Sequence, residues 1–251
     1  MDPFSWSFVA IGGVAMVFAG ISKGGFGSGA SFAGASILAL IIAPGEALGI
    51  MLPLLMLIDA LTLKPFWKQW DWVATRGMIL GAVPGVALGA VFYTLTNDDA
   101  IRLMIGAMSL LYVATQLPAF LANTARTRRS LPRWMAYLAG TVSGFTSFVS
   151  HAGGPPAAMY MLSLGLSKTA YQASSVLLFW AVNIFKAVPY AFLGIFTVET
   201  LTIDLILAPF AVVGTFLGIW LHRRIPERPF FVITFILLTV TGSKLIWDAL
   251  V

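Results

Sequence analysis

The feature that most constrains this chain is its series of long apolar runs. They recur from residue 4 to residue 251, and the polar stretches between them are short. Hydrophobic residues make up 59% of the 251 residues and charged residues only 10%, against about 25% charged in soluble domains. About 20 apolar residues suffice to cross a bilayer as a helix. We therefore predict an all-α polytopic membrane protein, with residues 1–251 as a single transmembrane domain.

Charge and cysteine content narrow the classes of partner and cofactor. The net charge is +5, but a chain of this hydropathy uses its Lys and Arg residues to orient itself in the bilayer, so we expect no nucleic-acid partner. There is no cysteine, which excludes disulfides and thiolate metal ligands, and we expect neither a metal site nor a cofactor. The first residues, MDPFSWSF, lack the positive charge of a signal peptide, so we expect the first apolar run to be retained.

The apolar runs divide into ten segments around one polar linker. In the first half, the segments cover residues 4–21, 30–43, 47–63, 76–95 and 100–122. After the predicted linker at residues 123–133, they cover residues 134–149, 157–165, 169–192, 198–221 and 229–251. The shortest is too short to span a hydrocarbon core of about 30 Å. We therefore expect helices 1–2 and 6–7 to form broken or re-entrant hairpins.

The two halves, about 4–122 and 134–251, are predicted to be repeats of five segments each. Residues separated by 124 and then by 129 positions match, as in Gly20 with Gly144, Asp59 with Asn183, Pro65 with Pro189, Ala82 with Ala211, Gly85 with Gly214 and Gly89 with Gly218. Chance matches between small residues are the alternative. Because five is odd, the second half enters the membrane with the opposite orientation, which makes the repeat inverted.

The basic residues test this topology. In the predicted topology, the loops on one side of the membrane hold eleven of the 15 Lys and Arg residues, namely Lys64, Lys68, Arg76, Arg126, Arg128, Arg129, Arg133, Lys168, Arg223, Arg224 and Arg228. The opposite loops hold Glu46, Asp98, Asp99 and Glu199. By the positive-inside rule the basic side is cytoplasmic, and both termini are predicted to be extracytoplasmic.

A glycine-rich break interrupts the first apolar stretch and carries the first candidate site. Its candidate substrate-binding residues are Ser22, Lys23, Gly24, Gly25, Gly27, Ser28 and Gly29. Glycines leave backbone N–H groups uncovered, and a helix beginning near Ala30 would point its positive end at the same place. Together with the lysine, this pattern favours binding of a small oxyanion. The alternative is that the glycines only permit close helix packing while Lys23 reaches the membrane surface.

A second break, at residues 143–160, resembles the first. Its candidate substrate-binding residues are Ser150, His151, Gly153 and Gly154, which precede two prolines that favour a helix start. His151 has the chemistry to donate to an anion or to carry a proton. The alternative is a packed, hydrogen-bonded histidine. We predict that the two breaks face each other and form one site.

Three polar residues inside apolar segments are candidates for coupling or gating: Asp59, Asn183 and Lys186. Ionisable side chains at such depth are costly and are usually paired or functional. Asp59 is a candidate proton relay. The alternative is a buried ion pair with Lys186 or Lys23 that only holds helices together.

Three stretches resemble a known family: GISKGGFGSG at residues 20–29, APGEALGIMLPLLMLIDALT at residues 43–62, and SHAGGPP at residues 150–156. They are similar to the TauE/SafE sulfite exporter family, also called the toluene sulfonate uptake permease superfamily. The resemblance covers nearly the whole chain. It implies a bacterial inner-membrane transporter, not an enzyme, for sulfite, sulfoacetate or another organosulfur anion.

Together these observations favour a secondary transporter that moves a small sulfur-containing anion by alternating access around a midplane site. Its partners would be the anion, the lipid bilayer and protons carried by Asp59 or His151 as the coupling ion. A homo-oligomer is compatible with the sequence. A passive anion channel built from the same residues is the alternative, and an intramembrane enzyme that uses His151 or Asp59 is a further one.

Overall fold

The computed structural model describes residues 5–26, 30–121, 131–222, 224 and 228–251. Every regular element within these residues is a helix, as the sequence predicts. In chain order they are α1 (Trp6–Ile21), a π-helical segment (Ser22–Phe26), α2 (Phe32–Leu38), α3 (Pro44–Leu63), α4 (Trp72–Thr94), α5 (Asp98–Leu121), α6 (Met135–Ser150), α7 (Gly154–Ser163), α8 (Lys168–Phe192), α9 (Val198–His222) and α10 (Arg228–Leu250).

Seven helices in the described residues are long and apolar enough to cross a membrane. They are Trp6–Phe26, Pro44–Leu63, Trp72–Thr94, Asp98–Pro118, Lys168–Phe192, Val198–His222 and Phe231–Leu250. The remaining helices α2, α6 and α7 have 7, 16 and 10 residues. An all-α polytopic membrane protein is therefore confirmed. Helix 1 is broken at Ser22 by the π-helical segment, but the combined 21 residues suffice for a span.

Two helix boundaries differ from the prediction for identifiable reasons. The fourth segment was predicted to begin at Arg76 but α4 begins at Trp72, because the Asp71 carboxylate accepts a hydrogen bond from the N–H of Ala74 at 2.8 Å and caps the helix. The second segment was predicted to reach Ala43, but α2 ends at Leu38. Since Pro44 begins α3, Ala43 has an extended ψ of 140° and cannot continue a helix.

Glycines bring two pairs of helices into backbone contact. A Cβ placed on Gly20 of α1 would lie 2.8 Å from the carbonyl oxygen of Ala211 in α9. A Cβ placed on Gly144 of α6 would lie 2.5 Å from the carbonyl oxygen of Ala82 in α4. Under the predicted offsets each contact is the counterpart of the other, as a two-fold relation between the halves would require. The inverted repeat stays a proposal, and this correspondence supports it.

The helix ends at one side of the bundle, called here the basic face, carry most of the described Lys and Arg residues, and the opposite ends, called the acidic face, carry Glu46, Asp98, Asp99 and Glu199. On the basic face, Lys168 Nζ at the start of α8 donates to the carbonyl oxygen of His222 at the end of α9, at 3.1 Å. On the acidic face, Glu46 of α3 and Glu199 of α9 line one cavity of about 320 Å³. The basic face also carries Lys64, Lys68, Arg76, Arg133 and Arg224, while most of the predicted linker lies outside the described residues.

We expect Gly85→Ala and Gly140→Ala to destabilise the protein by about 1–3 kcal/mol each. A Cβ added at Gly85 would overlap the carbonyl oxygen of Thr141, and one added at Gly140 would overlap that of Met78. A backbone atom cannot move aside without moving the rest of its helix. Gly12→Ala is the matched control, because its Cβ would lie 3.2 Å from a methyl group of Leu207 that can rotate away. Melting temperatures in detergent measure the effect. Equal melting temperatures for the three variants would contradict this packing.

Candidate functional site

A small buried cavity lies where the two predicted breaks meet α3 and α8. Polar residues from both halves line it, namely Lys23, Ser31, Ser147, His151, Gly154 and Asn183, with Leu55 and Phe179 as its apolar wall. It has room for about one water molecule. The structure therefore brings Lys23, His151, Gly154 and Asn183 together, as the sequence predicts.

One side of the cavity is formed by a buried ion pair. Lys23 Nζ lies 2.5 Å from Asp59 Oδ1, and the Asn183 amide donates to Asp59 Oδ2 at 2.7 Å. Lys23 is 9% exposed and Asp59 is fully buried. Of the two ion-pair partners that the sequence left open for Asp59, the structure selects Lys23. Asp59 and Asn183 are also counterparts in the predicted repeat, and they contact each other directly.

The other side is formed by a buried lysine and histidine. Lys186 Nζ lies 2.7 Å from His151 Nδ1 and donates to Ser147 Oγ at 3.4 Å. His151 Nε2 lies 3.2 Å from the carbonyl oxygen of Leu48. Because a carbonyl oxygen only accepts, Nε2 carries the hydrogen, and Nδ1 accepts from the lysine. His151 is therefore neutral in this arrangement, and Lys186 donates to it.

These contacts leave the side-chain nitrogen of Lys186 without a counterion. Lys23 and Asp59 neutralise each other, whereas no carboxylate oxygen in the described part of the chain lies within ion-pair distance of Lys186. Lys186 is fully buried, and its partners are a neutral ring, a hydroxyl and the face of Tyr190, whose ring centre lies 5.5 Å away. A buried unpaired charge is costly. A small anion in the adjoining cavity would compensate for it.

The second break positions His151 by an unusual backbone turn. His151 ends α6 in the left-handed region, with φ 54° and ψ 7°, and α7 begins at Gly154, which lines the cavity. The neighbouring candidates face elsewhere. Ser150 Oγ donates to the carbonyl oxygen of Thr146 in its own helix at 2.8 Å. Gly153 packs on Ser143, and the Ser143 hydroxyl donates to the carbonyl oxygen of Gly153 at 2.6 Å.

The first break is helical where the structure describes it, which differs from the predicted glycine loop. Ser22, Lys23, Gly24 and Gly25 all belong to the π-helical segment. A Cβ on Gly24 would lie 2.6 Å from the carbonyl oxygen of Thr215, and Gly25 is as tightly packed on Gly218. These two glycines therefore have the packing role that the sequence left open. Gly27, Ser28 and Gly29 lie outside the described residues.

Two side chains that the sequence analysis missed hold the π-helical segment in place. Gln172 Nε2 donates to the carbonyl oxygen of Lys23 at 2.6 Å, and His222 Nδ1 donates to that of Gly25. A π turn disrupts the regular backbone ladder, and these bonds satisfy two of its carbonyl groups. Both residues are buried. In the sequence they are marked only as polar residues near the ends of apolar helices.

Comparison of the chain with known families gives a match. A profile described as Sulfite exporter TauE/SafE matches residues 12–245, nearly the whole chain. The chain belongs to this family. It is therefore a multi-pass membrane transporter, not an enzyme, and the family transports sulfur-containing anions. No curated protein and no solved structure matches the chain significantly.

We expect Lys23→Met to cost about 3–5 kcal/mol of stability, because it leaves the Asp59 carboxylate buried without its cation. Adding Asp59→Asn should recover a large part of that loss, since it removes the orphaned charge. As a control, Arg102→Met breaks an exposed pair with Asp99 and should cost at most about 1 kcal/mol. Thermal unfolding of the purified variants measures each step. Additive losses in the double variant would mean that the two charges do not interact.

Proposed function

We propose that this protein is a secondary transporter that moves a small sulfur-containing oxyanion, such as sulfite or an organosulfonate, by alternating access around the buried cavity. The observation that carries the proposal is that Lys186, a buried lysine with no carboxylate partner among the described residues, lies beside a polar cavity. The donors that line that cavity suit oxygen atoms of an anion: the Lys23 side chain, the Asn183 amide and the hydroxyls of Ser31 and Ser147. Lys186 lies behind two of the lining residues, Ser147 and His151.

The size of the cavity supports a conformational step. A site with room for about one water is too small for a sulfur oxyanion, so the surrounding helices have to separate before one enters. Lys23 is carried by the first half, and Lys186 and Asn183 by the second. In the proposed inverted repeat, the halves would move relative to each other around a site that both of them line.

Protons are the proposed coupling ion, with Asp59 as the carrier. In the described arrangement Lys23 forms an ion pair with Asp59 and is therefore engaged. A proton on Asp59 would remove the negative charge that holds Lys23, and the ammonium group would then be available to the anion. Binding of the proton and binding of the anion would thus favour each other. His151 is the second candidate, because a proton on Nδ1 would displace Lys186 from it.

The proposed setting is a bacterial inner membrane with the basic face in the cytoplasm, which places both termini on the extracytoplasmic side. Six described Lys and Arg residues on the basic face support this orientation, namely Lys64, Lys68, Arg76, Arg133, Lys168 and Arg224. The acidic cavity between Glu46 and Glu199 would then open outside.

Lys186→Met tests the anion site. We expect the uptake of labelled sulfite into proteoliposomes to fall about 10–100-fold, which is the cost of losing one charge-assisted contact. Lys244→Met is the matched control, because Lys244 pairs with Asp248 on the exposed surface of α10. Counterflow with unlabelled sulfite separates a transporter from a channel, since only a transporter exchanges the two pools. Wild-type uptake by Lys186→Met would refute the site, and uptake without counterflow would favour a passive anion channel.

Asp59→Asn tests the coupling. The amide resembles a protonated carboxylic acid, so we expect anion exchange to persist while a pH gradient no longer drives accumulation. Exchange serves as the control for a folded protein. If a pH gradient still drives accumulation in Asp59→Asn, Asp59 is not the carrier. His151→Gln then tests the second candidate, because glutamine keeps a donor and an acceptor but does not titrate.

A further inference from the structure

A second and larger cavity lies on the basic face and adjoins the π-helical segment. Its volume is about 260 Å³, which is ample for a small oxyanion. Its polar lining comes from Gln116 of α5, from Lys168, Tyr171 and Gln172 at the start of α8, and from His222 at the end of α9. Phe26 of the π-helical segment also lines it. We call this cavity the basic vestibule.

The charges of the basic vestibule favour an anion. Lys168 is exposed at its edge, and none of the described residues that line it is a carboxylate. The cavity on the acidic face shows the opposite pattern, with Glu46 and Glu199 and no basic residue among its described lining. An exposed ammonium group at the mouth of a cavity raises the local concentration of anions. The two cavities are therefore not equivalent entrances.

A buried polar group in the basic vestibule is left with an unused acceptor. Gln172 is 1% exposed, and its Nε2 is committed to the carbonyl oxygen of Lys23. That bond fixes the amide orientation, and Oε1 has no hydrogen-bond partner in the part of the chain that the structure describes. A buried acceptor without a donor is costly. An oxyanion that keeps one hydroxyl group would supply the donor, while its charged oxygens face Lys168.

We propose that the basic vestibule is a second anion subsite, separate from the buried cavity, and that it takes a small oxyanion carrying one hydroxyl group, such as sulfite in its singly protonated form. This inference rests on the proposed function, because it assigns the same anion a binding step before the buried cavity. The two sites share a wall. Gln172 lines the basic vestibule and binds the backbone of Lys23, whose side chain lines the buried cavity.

Calorimetric titration of the full-length protein in detergent with sulfite, at a mildly acidic pH where the anion is protonated, tests the subsite. We expect two binding events in the wild type. Lys168→Gln should weaken one of them about tenfold, as expected for the loss of one charge contact, and leave the other unchanged. Lys64→Gln is the matched control, because Lys64 is also exposed on the basic face but does not line the basic vestibule. Methanesulfonate has no hydroxyl group and should bind the basic vestibule more weakly than sulfite.

Transport kinetics give a second measurement. Lys168→Gln should raise KM for sulfite about tenfold with kcat unchanged, and Lys168→Arg should restore the wild-type KM. A single binding event in the wild type, or equal titrations for Lys168→Gln and Lys64→Gln, would overturn the subsite.

The proposed site in the buried cavity is tested separately, by Lys186→Met. Lys186→Met should lower sulfite transport about 10–100-fold and leave the binding event that depends on Lys168. If transport is normal in Lys186→Met but one event still depends on Lys168, the subsite stands while the proposed buried site is refuted.

Discussion

The interior of this protein is governed by the cost of keeping Lys23, Asp59 and Lys186 away from water. Isolated charges in hydrocarbon are expensive, and each of these is held by specific partners on other helices. The ion pair requires helix 1 to approach α3, and the lysine–histidine contact requires α8 to approach the end of α6. The arrangement pairs Lys23 with Asp59, whereas the partners of Lys186 are a hydroxyl, a ring nitrogen and an aromatic face. The proposed anion site depends on the absence of a counterion beside Lys186 in the described part of the chain.

Close backbone contact makes these long-range pairings geometrically feasible. Glycines at the α1–α9 and α4–α6 contacts allow the helices to touch without side chains between them. Side chains then cross short gaps, as when Gln172 reaches the backbone of Lys23 from α8. Gln172 also lines the basic vestibule, while the side chain of Lys23 lines the buried cavity.

Much of the fold could be predicted because hydrocarbon thickness constrains the length of an apolar run. The eighth and ninth segments, predicted at residues 169–192 and 198–221, begin within one residue of α8 and α9 and end within one residue of them. A capping residue is a weaker signal of a helix boundary than the length of an apolar run, because Asp71 lies in a tryptophan-rich polar stretch that also has the composition of a loop. The boundary of α4 was therefore predicted four residues late.

The site was predictable in its residue types but not in its pairings. A lysine among glycines indicates an unusual backbone, but glycine is equally suited to an open loop and to tight packing, and only the contact with α9 decides between them. Likewise, the sequence placed Asp59 near a lysine without choosing between Lys23 and Lys186. Gln172 and His222 were missed because their partners are backbone carbonyl groups more than a hundred residues away, which no local pattern can reveal.

The π-helical segment has one more consequence, which concerns helical register. A π turn holds about one residue more than an α turn, and one residue corresponds to a rotation of about 100° around the helix axis. If the surplus residue shifted along helix 1, the direction of Lys23 would turn by that angle while backbone hydrogen bonds were exchanged instead of lost. Such a shift would reorient the Lys23 side chain without unfolding a helical turn.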